Sequence, residues 1–176
     1  MKWINSIVLL FLMSPTLVFA EPQISKDWAW DLAGDEYVYA ATVNSDGRVL
    51  GQYCYFSDST CVYLVSLGIL CKSGSEYPSI LNSSAGVAEV QLVCGHMYQG
   101  ENVFFIKPFD EVDNLVKQAN NVGFAVAMEE GTFKVVRFSL SGSTYAIEMM
   151  RAGAELLNKA KQNNQQKQKV RSEEYL

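Results

Sequence analysis

The 176-residue chain carries 14 Lys and Arg against 19 Asp and Glu, a net charge of −5, and 49% of its residues are hydrophobic. A chain this acidic repels nucleic acid and anionic membrane surfaces, so neither is expected as a partner. The length is that of one domain and leaves little room for two.

The first twenty residues have the order of a signal peptide. One positive charge, Lys2, precedes an apolar run at residues 7–13, and small residues end at Ala20. This order predicts cleavage after Ala20. The run is too short to span a bilayer, which takes about 20 apolar residues. We therefore expect a periplasmic or secreted protein without stable membrane insertion.

The four cysteines all follow the predicted cleavage site. An even number of cysteines in an exported chain predicts disulfides, and four cysteines allow three connectivities. We favour sequential pairing, Cys54 with Cys61 and Cys71 with Cys94, because it closes the shorter loops. A metal site would need closely spaced ligand pairs, and His96 is the single histidine. We expect no metal and no cofactor.

The elements of the mature chain are mostly short, β-forming runs bounded by turn residues. An Asn44-to-Gly47 turn predicts a first hairpin, and Gly131 supplies the turn of a later one. Residues 71–84 are expected to form a loop, and residues 95–101 a turn. The predicted strands are residues 36–43, 48–56, 61–67, 87–94, 102–106, 122–128 and 132–140.

Two helices are predicted from apolar residues at helical spacing. Asp110 would cap the first helix, whose apolar face is Val112, Leu115, Val116 and Ala119. Ser143 would be the N-cap of the second helix, which runs to about residue 160. Its expected docking stripe is Ala146, Met149, Met150, Gly153, Leu156, Leu157 and Ala160.

These elements predict a mainly β (α+β) domain at residues 21–160. We expect an antiparallel β-sandwich or barrel-like domain with one helix before the last hairpin and a C-terminal helix. Residues 161–176 are rich in Gln, Asn and Lys and cannot bury enough apolar surface to offset the entropy of ordering. They predict a frayed or disordered tail, or a solvated extension of the helix.

The patterns typical of catalytic sites are missing from the sequence. The G-x-S-x-G spacing of serine hydrolases does not occur, and all four thiols are assigned to disulfides. Adjacent acids such as Asp35-Glu36 point to opposite sides of a strand or lie in a turn, unlike a glycosidase pair. We therefore predict that the protein is not an enzyme; a small secreted hydrolase would depend on His96 as its base.

Aromatic residues are concentrated near the mature N-terminus. They are explained either by packing in the core and across strands or by a binding face. The first explanation is favoured by the abundance of aromatic residues in sheets. The residues concerned are Trp28, Trp30, Tyr37, Tyr39, Tyr53, Tyr55 and Tyr63.

The segment 138–146, in which a strand ends in Leu140-x-Gly142 and Ala146 follows four residues after the glycine, resembles the end of the invasion-associated locus B family. A tryptophan soon after the cleavage site and an early cysteine pair add to the likeness. Ser143 stands where the family tends to place an aromatic residue. The resemblance implies an exported bacterial β-sandwich-like domain associated with the envelope or with host interaction, without catalytic residues to carry over.

A second resemblance concerns the S-G-x-x-Y motif of periplasmic C-type lysozyme inhibitors, in which the motif loop enters the lysozyme cleft. The motif occurs twice here, from Ser73 to Tyr77 and from Ser141 to Tyr145. The resemblance implies that these serines and tyrosines contact a partner. The first copy lies in a predicted loop and is the better candidate.

Together these patterns predict an exported, non-enzymatic binding protein of the bacterial envelope or secreted space. Its partner would be a protein or an envelope component. The alternatives are a periplasmic lysozyme inhibitor and, second, a small secreted hydrolase.

Overall fold

The computed structural model describes the backbone of residues 21–173 except Ser59 and Gln99, so the predicted signal peptide at residues 1–20 lies outside the described residues. Antiparallel strands and two helices make up the described part. The strands are β1 (Gln23–Ser25), β2 (Trp28–Ala33), β3 (Tyr37–Val43), β4 (Val49–Tyr55), β5 (Cys61–Ser66), β6 (Glu76–Ser83), β7 (Gly86–Tyr98), β8 (Glu101–Lys107), β9 (Asn121–Ala127) and β10 (Phe133–Ser139). The helices are α1 (Phe109–Gln118) and α2 (Ser143–Glu173).

All ten strands belong to one sheet, in the order β1-β2-β3-β4-β5-β8-β7-β6-β9-β10. The sheet is curled but is not a closed barrel. Its two ends approach each other, as two hydrogen bonds between the β2–β3 side and β10 show. Trp28 Nε1 donates to Ser139 O at 3.0 Å, and Asn44 Nδ2 donates to Arg137 O at 3.1 Å. The predicted fold class, mainly antiparallel β with one helix before the last hairpin and a C-terminal helix, is confirmed.

Strand alternation separates an inner face from an outer face. In β3 the side chains of Val38, Ala40 and Thr42 are buried. Tyr37 and Tyr39, which alternate with them, are half-buried. Successive residues of a strand point to opposite faces, so the tyrosines lie on the outer face. The inner face and the two helices enclose the core.

Helix α2 packs against β2 and β3 with a face slightly different from the predicted one. Ala146 and Met150 are buried as expected, but Ile147 and Ala154 are also buried, whereas Leu156 is 69% exposed. Ser143 was expected to cap this helix; instead its buried hydroxyl donates to Val116 O at 2.9 Å and joins α2 to α1. The cap prediction is therefore wrong.

The second helix also continues beyond residue 160, where the sequence predicts its end. The backbone is helical to Glu173, so residues 161–173 form a helical extension, which is the second of the two expectations for this segment, rather than a frayed or disordered tail. Lys161 helps to hold its start: its ammonium lies 4.4 Å from the ring centroid of Phe56 and donates to Asp35 O at 3.1 Å.

In helix α1 the four predicted apolar positions, Val112, Leu115, Val116 and Ala119, are all buried. Asp110 was expected to be the cap, but Pro108 occupies that position and no side chain caps the helix. Asp110 lies in the first turn instead.

Four strands differ from the predictions. The segment expected to be a loop at residues 71–84 contains β6, a central strand between β7 and β9. Strands β1 and β2 were not predicted at all. Strand β7 continues to Tyr98 through a bulge between Cys94 and Met97, where a turn was expected.

Both predicted disulfides are present, Cys54–Cys61 and Cys71–Cys94. The first joins directly opposite residues of β4 and β5. The second joins the segment before β6 to β7. Within the part of the chain that the structure describes, neither helix combines the length and apolar character needed to cross a membrane.

Candidate functional site: a tyrosine groove

The outer face of the sheet contains a groove of about 590 Å³ along β3 and β4, on the side opposite the helices. We call it the tyrosine groove, after Tyr37 and Tyr39 of β3 and Tyr53 and Tyr55 of β4. His96 and Tyr98 of β7 also line it. The other lining residues are Glu36, Ala41, Val43, Val49, Leu64, Ser66 and Val103.

The antiparallel register brings the four tyrosines together. Tyr37 lies opposite Tyr55, and Tyr39 lies opposite Tyr53. The rings of Tyr39 and Tyr53 are stacked with centroids 5.9 Å apart, and Tyr37 is 5.6 Å from Tyr53 and 5.7 Å from Tyr55. A two-residue spacing on each of two paired strands thus builds one aromatic cluster from local sequence.

The second wall of the groove comes from strand β7. The bulge between Cys94 and Met97 changes the register with β8, and His96 and Tyr98 beyond it line the groove. The sequence predicts a turn at residues 95–101, and that prediction gives no indication of this wall. The signal that could have found it is the alternation of His96 and Tyr98 in a strand that continues.

Small residues form part of the groove surface. Gly51 pairs with Ala41 across β3 and β4, and a Cβ atom at Gly51 would lie 2.6 Å from Ala41 Cβ and 2.8 Å from Ala40 O. Only glycine fits there without displacing β3. Next to this pair lie Val43, which is 62% exposed, and Val49.

Acidic side chains lie at the end of the groove that the four tyrosines form, which we call its tyrosine end. Asp31 is directly opposite Tyr39 in the β2–β3 pair, and Glu36 lines the groove itself. Burial raises the pKa of Tyr39, and the Asp31 carboxylate raises it further. Burial likewise raises the pKa of Tyr55, followed by the effects of Tyr37, Asp58 and Glu36.

Tyr53 has the largest pKa shift of the groove tyrosines. Burial, and then the neighbouring phenols, raise its pKa far above the ordinary value of 10.0. The phenol groups of Tyr39, Tyr53 and Tyr55 therefore stay neutral at physiological pH. They present apolar rings with hydroxyl groups that can donate and accept hydrogen bonds, which is the combination that binding surfaces use most.

A second polar cluster lies inside the protein around Asp113 of α1. Its Oδ1 accepts hydrogen bonds from Tyr63 Oη at 2.8 Å and from Arg151 Nη2 at 2.5 Å, and its Oδ2 accepts from Lys117 Nζ at 2.8 Å. Gln52 Nε2 also donates to Oδ1, at 3.3 Å, and Gln52 Oε1 accepts from Arg151 Nε. The groups satisfy one another, so the cluster fits a structural junction between the sheet and both helices.

The first S-G-x-x-Y copy is split between the surface and the core. Ser73 is exposed in a turn beside the Cys71–Cys94 disulfide, where Gly74 N donates to Cys94 O at 2.8 Å. Tyr77 lies in β6 and packs edge-to-face on buried Phe104 at 6.1 Å. The two side chains are therefore differently accessible to a partner.

The second copy has a packing explanation. Gly142 has a φ of 92°, and a Cβ atom there would lie 1.9 Å from Ser25 O. Ser141 is half-buried between β10 and α2, and Tyr145 is 57% exposed on the helix. The structure brings neither copy into the tyrosine groove, so their roles in binding stay predictions.

Within the described residues, no group of three or more His, Cys, Asp or Glu side chains is arranged to hold a metal ion. His96 is exposed at the groove, and both disulfides leave no free thiol in the part described.

The chain is similar in structure to invasion associated protein b from Bartonella henselae, with a TM-score of 0.57. The sequences are 14% identical, and the match covers 77% of this chain and 99% of that chain. The likeness concerns the fold and agrees with the fold that the sequence resemblance implies. No protein-family model matches the chain, and no curated protein matches it.

Proposed function

We propose that this protein is a non-enzymatic, extracytoplasmic binding protein of a bacterial envelope or secreted space, and that it recognises another macromolecule through the tyrosine groove. The observation that carries the proposal is the clustering of four tyrosines on the face of the sheet that the helices leave uncovered. Half-buried aromatic clusters that line an open groove are typical of interaction sites, because their rings supply large contact areas at low entropic cost.

Two further observations support this compartment and role. Disulfides persist in oxidising spaces, and both disulfides here close within one small domain. The structural neighbour is named for invasion, which favours an envelope or host-interaction role for this fold. The binding role for this chain rests on the groove rather than on that name.

Site-specific photo-cross-linking tests the proposal. A photoreactive amino acid would replace Val43 in the groove, and a matched chain would carry it at Leu156, which is exposed on helix α2. We expect a discrete adduct with an envelope component in native cells from the groove position alone, lost when Tyr37→Ala and Tyr53→Ala are added. Equal labelling from both positions, or no adduct from Val43, would contradict the proposal.

The alternative of a lysozyme inhibitor is favoured by the exposed turn at Ser73. It predicts inhibition of a C-type lysozyme by the mature protein and loss of that inhibition on Ser73→Ala. Absence of inhibition at micromolar protein would dismiss it. The hydrolase alternative predicts a turnover that His96→Ala abolishes, since His96 is the single histidine.

A further inference from the structure

We propose that the tyrosine groove binds an extended peptide segment of a partner protein, with a Lys or Arg side chain at the tyrosine end and an aliphatic side chain at the Val43 end. The inference rests on the proposed function and names the chemistry of its partner. Three features of the groove carry it: its charge, its aromatic surface and its length.

The groove has an acidic residue but no lysine or arginine among its described lining residues. That residue is Glu36, and Asp31 lies across from Tyr39. The nearby arginine at the start of β4, Arg48, is already paired with Glu101. A cation entering the groove therefore meets carboxylates and no lining lysine or arginine, which favours a basic partner.

The aromatic rings add a second attraction for a cation. A tyrosine ring carries partial negative charge on its face and attracts ammonium or guanidinium groups within about 6 Å of its centroid. The chain uses this contact itself, at Lys161 over Phe56 and at Arg151 over Phe109, 5.7 Å from the centroid. A phenol hydroxyl can also accept a hydrogen bond from the same cation.

The other end of the groove is aliphatic. Val43 is 62% exposed, and Val49, Leu64 and Val103 line the groove beside it. Tyr37 and Val43 are six residues apart in one strand, which is roughly 20 Å at the rise of a β-strand. An extended peptide of about seven residues has the same length, so one segment can reach both ends.

The test uses a fluorescein-labelled peptide of seven residues with lysine at the first two positions, leucine at the last, and Gly and Ser between. Binding to the mature, disulfide-bonded protein would be followed by fluorescence anisotropy. We expect saturable binding that weakens about fivefold when the lysines become glutamine, and also when the leucine becomes serine. Binding should weaken as salt rises, since the carboxylates are near the surface.

Substitutions in the groove test whether the peptide binds there. Tyr37→Ala combined with Tyr53→Ala should abolish binding, and Asp31→Asn combined with Glu36→Gln should weaken it about fivefold and reduce its salt dependence. Leu156→Ala, at an exposed position of α2, and Glu130→Gln are the matched controls outside the groove and should leave it unchanged. Circular dichroism and thermal unfolding would show that each variant is folded, and Tyr53→Phe keeps the ring if Tyr53→Ala does not fold.

Other results would overturn the inference. Equal binding of the lysine and glutamine peptides would remove the cation requirement. Binding of an N-acetylglucosamine oligomer, lost in the tyrosine variants, without peptide binding would assign the groove to a glycan, and dimers that the tyrosine variants dissociate would assign it to a second copy. With a glycan, the groove cross-link from Val43 to an envelope component would still form, so the proposed function would survive. A cross-link from Val43 to a second copy alone, or no cross-link, would remove both.

Discussion

Tyr63 donates a hydrogen bond of 2.8 Å to Asp113 Oδ1 and so ties strand β5 to helix α1 inside the protein. Arg151 of α2 donates to the same oxygen atom at 2.5 Å. One carboxylate therefore joins the sheet to both helices. Because β4 and β5 carry this junction on their inner face and the tyrosine groove on their outer face, the junction also holds the strands that form the groove.

Asp113→Ala should destabilise the protein strongly. The change leaves Lys117 without its acceptor and leaves Arg151 with Gln52 alone. Breaking an ion pair in this partly buried site costs about 2 kcal/mol, between the exposed and the fully buried cases. Urea unfolding monitored by circular dichroism would measure the free energy of unfolding. Glu155→Ala, which removes the exposed pair with Lys159, is the control and should change it little. A loss for Asp113→Ala as small as that control would contradict a structural junction.

The stability of the protein should depend on pH through the same carboxyl group. Burial opposes the ionisation of Asp113, but hydrogen bonds from Lys117, Tyr63 and Arg151, with the charge of Arg151, outweigh it and lower the pKa of Asp113 below its ordinary 3.8. A folded-state pKa below the unfolded value stabilises the fold above that unfolded value. The stabilisation is lost as the pH falls through the lower, folded-state pKa.

Unfolding of the wild type and of Asp113→Asn at a series of pH values would measure this effect. The difference between their free energies of unfolding should be constant above about pH 5 and should narrow below pH 3.8. A difference that stays constant down to pH 2.5 would show that Asp113 is not the group responsible.

The elements that could be predicted from sequence are those whose signal is local. The two hairpins carry glycine turns, and the register of β3 and β4 follows from one of them. Strand β6 was missed because Pro78 and the Asn82-Ser83-Ser84 run are typical of loops. The sheet tolerates Pro78, since β9 pairs with β6 only from Ser79 onward.

Only the part of the groove that has a local sequence signal, the tyrosines, could be predicted. The tyrosines of β3 and β4 could be recognised as a cluster. From the sequence, packing was favoured over binding as their role, and the groove became visible only with the helices placed on the opposite face of the sheet. The wall of His96 and Tyr98 depends on a bulge in β7 and on the order β4-β5-β8-β7 in the sheet, and that order rests on contacts between distant residues. Strand β2 likewise becomes evident through its pairing with β3 and the burial of Trp28.

Gly51→Ala should distort the groove and destabilise the sheet. The new Cβ atom would lie 2.6 Å from Ala41 Cβ, closer than such atoms approach, and the neighbouring Ala40 O is backbone that cannot rotate away. Overpacking of this kind costs roughly 1–3 kcal/mol. The free energy of unfolding, together with affinity for the lysine peptide, would measure the effect.

Gly153→Ala is the matched control for that change. Nothing lies within 4 Å of a Cβ atom at Gly153, which is in helix α2. Because alanine favours a helix over glycine, this variant should gain roughly 0.5–1 kcal/mol. Equal effects of the two variants would contradict the close contact between Gly51 and Ala41.

The two disulfides should contribute unequally to stability. A cross-link limits the unfolded chain more when it closes a longer loop. Cys54 and Cys61 are seven residues apart, and Cys71 and Cys94 are 23 apart. On this basis the first bridge stabilises the fold by about 2.5 kcal/mol and the second by about 3.5 kcal/mol.

Each pair contains one cysteine that is 2% exposed, so replacing both members by alanine leaves comparable buried sites. Urea unfolding of the two double variants should therefore show the Cys71→Ala/Cys94→Ala protein to be less stable by about 1 kcal/mol. The reverse order would mean that the direct link between β4 and β5, rather than loop length, determines how much each bridge stabilises the sheet.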